Sequence, residues 1–135
     1  MPHLEWNRSL SVGIGPLDKD HREFVAALNA LEIAVEGGSD ISVTLPLLHR
    51  LNAHSRAHFT AEESLMNATR YPGAQLHALK HTHLLNQLIA LVARTQSNPA
   101  RLDKHSLKFL RDWETAHIQS DDRNFGLWLN EHGKR

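Results

Sequence analysis

Apolar positions recur along this chain with the three-and-four spacing of amphipathic helices. The first such stripe predicts a helix from Asp18, as N-cap, to about Val35, and a glycine-rich break at 37–40 ends it. Its apolar members are Phe24, Leu28, Leu31 and Val35. Residues 1–17 precede it and predict an irregular N-terminal arm, because they contain Gly13, Gly15 and Pro16.

Two longer helices should follow. The second is predicted to start near Ser42 or Thr44, to tolerate Pro46 in its first turn and to end at about Thr69. A turn at 71–73 comes next, because a residue before proline disfavours helix. The third helix should cover 74–96, and its apolar stripe consists of Leu84, Leu88 and Leu91.

A fourth helix is predicted from about Arg101 to Gln119, and a short terminal helix from Asp122 to Asn130. The chain shows no strand alternation, hairpin signal, internal repeat or low-complexity tract. Four amphipathic helices with short connections favour an all-α, antiparallel up-down-up-down four-helix bundle. We therefore expect one domain over 1–135, with the irregular arm at its start and the short helix at its end.

Composition excludes several classes of function. Lys+Arg and Asp+Glu are both 15, so no net charge favours nucleic acid or an anionic membrane as a partner. No apolar run reaches the roughly 18 residues of a membrane span, and the N-terminus lacks the features of a signal peptide. We expect a cytoplasmic protein without an attached output domain. The absence of cysteine also excludes a thiolate metal site.

The chain is unusually rich in histidine, with 11 residues, and two pairs are spaced for metal binding. His77 and His81 are four residues apart on the third predicted helix, as are His58 and Glu62 on the second. Residues at this spacing project from one helix face. Imidazole and carboxylate are protein ligands of iron, manganese and zinc. The spacing of His77 with Leu84 and Leu88 places the third-helix pair on the core-facing stripe.

The first and fourth predicted helices add candidate ligands to the two pairs, so each of the four main helices offers at least one. His21 lies near the start of the first helix, and His117 lies on the fourth with Asp121 or Asp122 close behind. Five imidazoles and two carboxylates are too many for one ion and suit two. Without metal, such a buried set would carry a desolvation cost of several kcal/mol.

The motifs resemble those of the bacteriohemerythrins in order and spacing over nearly the whole chain. The matching segments are Leu17-Asp18-Lys19-Asp20-His21, His58-Phe59-Thr60-Ala61-Glu62-Glu63 with Met66, Tyr71-Pro72 followed by His77 and His81, and Trp113 with His117-Ile118 and Asp122. Trp6 also matches the tryptophan that is usual in the family's N-terminal arm.

The resemblance implies a non-haem diiron site. His77, His81 and His117 would bind one iron, and His21 and His58 would bind the other. Glu62 and Asp122 would bridge the two ions, with an oxo or hydroxo group as third bridge. In the family, O₂ binds at the open position of the iron with fewer protein ligands.

Geometry and family spacing disagree over the aspartate that follows His117. Asp121 is four residues later and would share its face on a regular helix, whereas Asp122 is about 140° away. Family spacing selects Asp122, with Asp121 as the fallback. Asp122 requires the helix to bulge or end between these residues, and Gly126 is compatible with such a break.

Glu114 departs from the family pattern. It lies one turn before His117, where carrier-type hemerythrins usually have an apolar residue, commonly leucine. It could ligate the open iron, act as an acid or base for a bound peroxide, or turn outward to water.

Other residues near these motifs have simpler interpretations. His54 lies one turn before His58 and could act as a partner behind this ligand, although an exposed position is expected. Glu63 is expected to be solvated. A set of apolar residues is expected in the core, where some members could wall a dioxygen pocket: Phe24, Leu28, Phe59, Phe109 and Trp113.

The sequence favours a binding protein over an enzyme. The preferred hypothesis is reversible O₂ binding for storage, delivery or sensing, with O₂, another diatomic molecule or peroxide as the small partner. The alternative is a diiron enzyme that reduces peroxide or oxidises a small donor, with Glu114 at the open position. A third hypothesis is the handling of iron or nitric oxide.

Overall fold

A computed structural model describes residues 4–99 and 102–133. Within them the chain forms a 3₁₀ turn, Arg8–Leu10, and then the helices α1 (Gly15–Glu36), α2 (Ile41–Thr69), α3 (Ala74–Ser97) and α4 (Lys104–His117). A π-helical turn, Ile118–Asp122, joins α4 to a short helix α5 (Arg123–Glu131). The described residues contain no strand.

The four long helices form the expected antiparallel bundle. Short connections at 37–40 and 70–73 reverse the chain after α1 and α2, and α4 begins at Lys104, soon after α3 ends at Ser97. α2 packs against α1 and α3, and α1 also packs against α4. Among the described helices, none combines the length and apolar character needed to cross a membrane.

Two buried apolar clusters divide the bundle along its length. The larger lies on α1 to α4 and includes Phe24, Leu28, Phe59, Leu88 and Leu110. The smaller joins the N-terminal arm to the other end of the helices and includes Leu10, Leu17, Met66, Ile118 and Phe125. On α1, α2 and α4, the polar residues predicted as ligands lie between members of these two clusters. Apolar packing on both sides therefore fixes the position of the buried polar layer.

The prediction that Asp18 caps the first helix is wrong. α1 already begins at Gly15, because Pro16 in the first turn has no N–H to leave unsatisfied. Asp18 lies inside the helix, and its carboxylate accepts hydrogen bonds from the Val12 amide at 2.8 Å and the Ser11 hydroxyl at 2.7 Å. It therefore ties the arm to the helix.

The second helix starts slightly earlier than predicted, at Ile41, and ends at Thr69 as predicted. Pro46 consequently lies beyond the first turn, inside the helix. Arg70 closes α2 in the left-handed conformation, with φ 61°, and the Tyr71 amide donates to the Met66 carbonyl at 2.9 Å. This closure is a Schellman-type C-cap and turns the chain toward α3.

The fourth helix is shorter than predicted at both ends. Its expected start, Arg101, lies outside the described residues, and α4 begins at Lys104 after the N-cap Asp103, whose carboxylate accepts from the Ser106 amide at 3.0 Å. The α-helical pattern ends at His117, where the π turn begins. This turn is the bulge that the choice of Asp122 required.

The N-terminal arm packs closely on α5. A Cβ added to Gly126 would lie 2.1 Å from the Val12 carbonyl oxygen, so only glycine allows this approach. Arg123 also donates to the Ser9 carbonyl. Gly126 therefore seats the arm and is not the helix break, which lies in the π turn before it.

Candidate metal centre

Seven side chains predicted as ligands meet in the buried polar layer, contributed by α1, α2, α3, α4 and the π turn. Each is at most 4% exposed. Their ligand atoms form two overlapping groups, each with mutual distances within 4.8 Å. The larger group contains Glu62, His77, His81, His117 and Asp122, and the smaller contains His21, His58, Glu62 and Asp122. Glu62 and Asp122 therefore belong to both groups.

Three imidazoles converge in the larger group. The Nε2 atom of His117 lies 3.1 Å from that of His77 and 3.1 Å from that of His81. Two nitrogens about 2.1 Å from one cation, at angles of about 90–109°, would be about 3.0–3.4 Å apart. Lone pairs at this distance repel each other unless a proton or cation lies between them. The spacing fits a common metal ion.

Each shared carboxylate directs one oxygen to each group. Oε1 of Glu62 lies 2.7 Å from His77 Nε2, whereas Oε2 lies 3.4 Å from His58 Nε2. Oδ1 of Asp122 lies 3.0 Å from His117 Nε2, whereas Oδ2 lies 2.9 Å from His21 Nε2. A carboxylate with its two oxygens divided in this way can bridge two ions.

Hydrogen bonding within the protein leaves much of this layer unsatisfied. Both carboxylate oxygens of Glu62 and of Asp122 are buried without a hydrogen bond of acceptable geometry, as are Nε2 of His21 and of His58. Buried polar groups without partners are costly. A bound cation would satisfy these atoms, so the donor set fits a metal.

The electrostatics of the layer favour positive charge. Burial alone would raise the pKa of Asp122, but contacts with His117, His21 and His77 lower it well below its usual value. Burial lowers the pKa of His21, but its contact with Asp122 outweighs burial and raises the pKa to about 9. The pKa of His77 is likewise raised to about 9, by Asp122 and Glu62 against burial. The carboxylates thus favour the protonated forms of His21 and His77, and a metal ion would displace those protons.

The π turn separates the roles of the two consecutive aspartates. Asp122 is fully buried and directed at the histidines, whereas Asp121 lies outside both groups. The Asp121 carboxylate is 3.0 Å from His117 Nδ1 and accepts a hydrogen bond from Lys80 Nζ at 2.7 Å. Of the two candidates, the structure places Asp122 among the predicted ligands.

Glu114 is buried beside the layer, at 1% exposure, and both of its oxygens lack a hydrogen-bond partner. The suggestion that it turns outward to water is therefore wrong. It belongs to neither ligand group. Burial raises its pKa to about 7, although the charges of His117 and His21 act in the opposite direction.

Aromatic side chains cover part of the layer. Phe59 stacks on His81 with ring centroids 3.9 Å apart, and Trp113 stacks on His117 at 4.6 Å. Phe24, Leu28 and Phe59 are buried in the core as expected, whereas Phe109 is 42% exposed, so its assignment to the core is wrong. Stacking restricts the orientation of two of the three converging imidazoles.

Sequence reasoning missed the residues behind the histidines. Glu63 was expected to be solvated, but its carboxylate lies 3.0 Å from His81 Nδ1. Asp20 has no predicted role of its own, yet its carboxylate lies 2.9 Å from His58 Nδ1. His54 is half-buried, and its Nε2 lies 2.9 Å from the Asp20 carbonyl oxygen. The available signal was an acidic residue directly next to a predicted ligand on a helix.

Comparison with known proteins gives consistent matches. Residues 12–129 match the family model of the hemerythrin HHE cation binding domain. A bacteriohemerythrin of Ralstonia nicotianae is 26% identical over 98% of this chain and 93% of its own length. One from Pseudomonas paraeruginosa is 28% identical over 93% of this chain and 80% of its own length. Myohemerythrin-1 of Phascolopsis gouldii is 27% identical over 87% of each chain.

Proposed function

The chain belongs to the hemerythrin HHE cation-binding domain family, and from this membership we propose that it is a non-haem diiron protein that binds dioxygen reversibly. The observation that supports two ions is the division of each shared carboxylate between the two histidine groups. A site for one ion would not need Glu62 and Asp122 to face both groups.

The proposed ligand sets follow these two groups. His77, His81 and His117 would hold one iron and His21 and His58 the other, while Glu62 and Asp122, which belong to both groups, would be shared between the two ions. As the resemblance to the family implies, an oxo or hydroxo group would be the third bridge. The two-histidine side has fewer protein ligands and leaves room for a small molecule. When reduced, the diiron unit would supply the electrons that bind O₂.

The burial of the proposed ligands favours exclusion of bulk water from the polar layer. The proposed ligands are at most 4% exposed, and Phe59 and Trp113 cover His81 and His117. A buried site admits a diatomic molecule more readily than a larger donor. Exclusion of water and protons also slows irreversible oxidation, which favours reversible binding.

Glu114 supports a second candidate function, a diiron enzyme that reduces peroxide or oxidises a small donor. Burial raises the pKa of Glu114 to about 7, so this carboxyl can hold or release a proton near neutral pH. Its oxygens have no hydrogen-bond partner in the protein. A proton donor beside a bound oxygen ligand favours turnover over storage.

Reversible oxygenation distinguishes the two functions. The iron-loaded protein would be reduced without air, exposed to O₂, and returned to argon while its visible spectrum is recorded. A carrier should form an oxygenated species that disappears under argon and forms again with O₂. Direct oxidation to the diferric form, without a reversible species, would contradict the carrier function.

Glu114→Leu should sharpen this result. Removal of the buried acid should slow autoxidation by at least about 10-fold and lower peroxide turnover with a reducing dye by about 100-fold, in the range typical of a lost acid–base group. Glu131→Leu, the same change at an exposed position, is the control and should change neither rate. Unchanged rates in Glu114→Leu would exclude Glu114 as a proton donor.

A further inference from the structure

Three carboxylates outside the proposed ligand set contact the outer nitrogens of histidines within it. Asp20 lies 2.9 Å from Nδ1 of His58, and Glu63 lies 3.0 Å from Nδ1 of His81. Asp121 is 3.0 Å from Nδ1 of His117, through Oδ2. These outer carboxylates, Asp20, Glu63 and Asp121, are part-exposed, with side-chain exposures of 32%, 34% and 22%.

Each outer carboxylate is the chain neighbour of a proposed ligand. Asp20 precedes His21, Glu63 follows Glu62, and Asp121 precedes Asp122. Successive helical residues are about 100° apart, so one member of each pair faces the buried layer while the other faces the edge of the adjoining helix. In each pair of consecutive residues, one is therefore a proposed ligand and the other contacts the outer nitrogen of a ligating histidine.

In two of these cases both consecutive residues are acidic, and each acidic pair flanks one histidine. Glu62 Oε1 lies 3.3 Å from His81 Nε2, and Glu63 lies on the opposite edge of the same ring. Asp122 and Asp121 flank the Nε2 and Nδ1 atoms of His117 in the same way. Each ring is thereby held with Nε2 directed inward and Nδ1 directed outward.

This arrangement selects one form of the imidazole. A carboxylate at Nδ1 accepts the proton of that nitrogen, so the Nε2 lone pair remains free for a metal. The negative charge also strengthens the imidazole as a donor and stabilises a more highly charged ion. By contrast, the buried Nδ1 of His21 has no hydrogen-bond partner in the described part of the chain.

We propose that Asp20, Glu63 and Asp121 are positioning residues that fix the tautomer of three metal-binding histidines and favour the oxidised state of the metal pair. This inference rests on the proposed diiron function. Two of the three carboxylates contact histidines of the three-histidine group, so the iron in that group should be bound more strongly. Lys80 in turn fixes Asp121, through the 2.7 Å contact of its ammonium group.

The test replaces each outer carboxylate in turn by its amide, Asp20→Asn, Glu63→Gln and Asp121→Asn, and by alanine. The amide can still accept the Nδ1 proton but lacks the charge, whereas alanine lacks both. Transfer of ferrous iron to a strong chelator should therefore be fastest in the alanine variants and intermediate in the amide variants, with 10–100-fold acceleration as the expected range. The reduction potential should rise in both sets.

Asp112→Asn is the matched control, since Asp112 is an exposed carboxylate on α4, paired with Lys108. It should release iron at the wild-type rate and keep the wild-type potential. If an alanine variant fails to fold, the amide variant at the same position tests the inference by itself. Wild-type release rates and potentials in all three amide variants would overturn the inference, whereas a wild-type protein with fewer than two irons would overturn the proposed function instead.

Discussion

Asp122→Asn is expected to remove most of the bound iron. Asp122 places one oxygen beside His117 and the other beside His21, and it belongs to both groups of proposed ligands. Asparagine has almost the same shape but no charge, and its amide nitrogen cannot bind a metal. Because one side chain serves both ions, the loss should exceed the roughly 100-fold upper range for an outer partner. Iron analysis after desalting measures this loss.

Two other aspartates, Asp112 and Asp121, serve as controls for Asp122→Asn. Asp112→Asn removes a surface charge and should retain the wild-type iron content. Asp121→Asn should retain iron but release it faster, since Asp121 contacts only the outer nitrogen of His117 among the proposed ligands. Full iron retention in Asp122→Asn would contradict the assignment of Asp122 as a bridge.

Removal of the metal should lower the thermal stability substantially. Without a cation, the buried carboxylates of Glu62 and Asp122 have only neighbouring imidazoles as partners, and none of these contacts has acceptable hydrogen-bond geometry. An ion present at 1,000 times its dissociation constant stabilises the folded state by about 4 kcal/mol. With a shift of roughly 2–8 °C per kcal/mol for domains near this size, Tm should fall by about 10 °C or more. Calorimetry of the iron-loaded and chelator-treated protein measures the difference.

The Asp122→Asn variant separates this effect from a general effect of the chelator. Its Tm should respond little to iron or to chelation, because the bridging position is lost. Asp112→Asn should show the wild-type difference. Equal Tm values for iron-loaded and metal-free wild-type protein, within about 1 °C, would show that the buried layer is stable without a cation and would contradict the metal assignment.

The sequence predicted the bundle because helical periodicity, helix breakers and short connections all agree. It also predicted which side chains would meet: His77 and His81 lie in register with Leu84 and Leu88, and all four residues are buried. The structure confirms the four-helix bundle and brings the seven predicted ligands together. Their binding of iron remains a prediction, which the experiments above address.

Helical periodicity alone could not select Asp122. A regular α-helix would direct Asp121 toward the face of His117, and only the π turn over Ile118–Asp122 directs Asp122 inward. Only family spacing, and not the local residues, indicates the required bulge. No residue type in this segment prescribes a π turn. Ile118 and Phe125, on either side of Asp122 in the chain, pack in the smaller apolar cluster.

Contacts between helices were also beyond the reach of pattern analysis. Glu63 and Asp20 look like surface residues in sequence, yet each reaches a histidine on another helix. Phe109 looks like a core residue, yet the rotation of α4 leaves it exposed. Such errors arise because a stripe defines the mean direction of a helix face, whereas the neighbouring helix determines what each edge residue touches.

The most direct test is a combined measurement of iron content and magnetic coupling on the oxidised protein. The proposed site predicts two ferric ions per chain whose spins are coupled through the bridge, so that electron paramagnetic resonance shows no signal from isolated high-spin ferric ions. Mössbauer spectra should likewise show a diamagnetic ground state at low temperature. One ion per chain with an uncoupled high-spin signal would contradict a bridged pair held by Glu62 and Asp122.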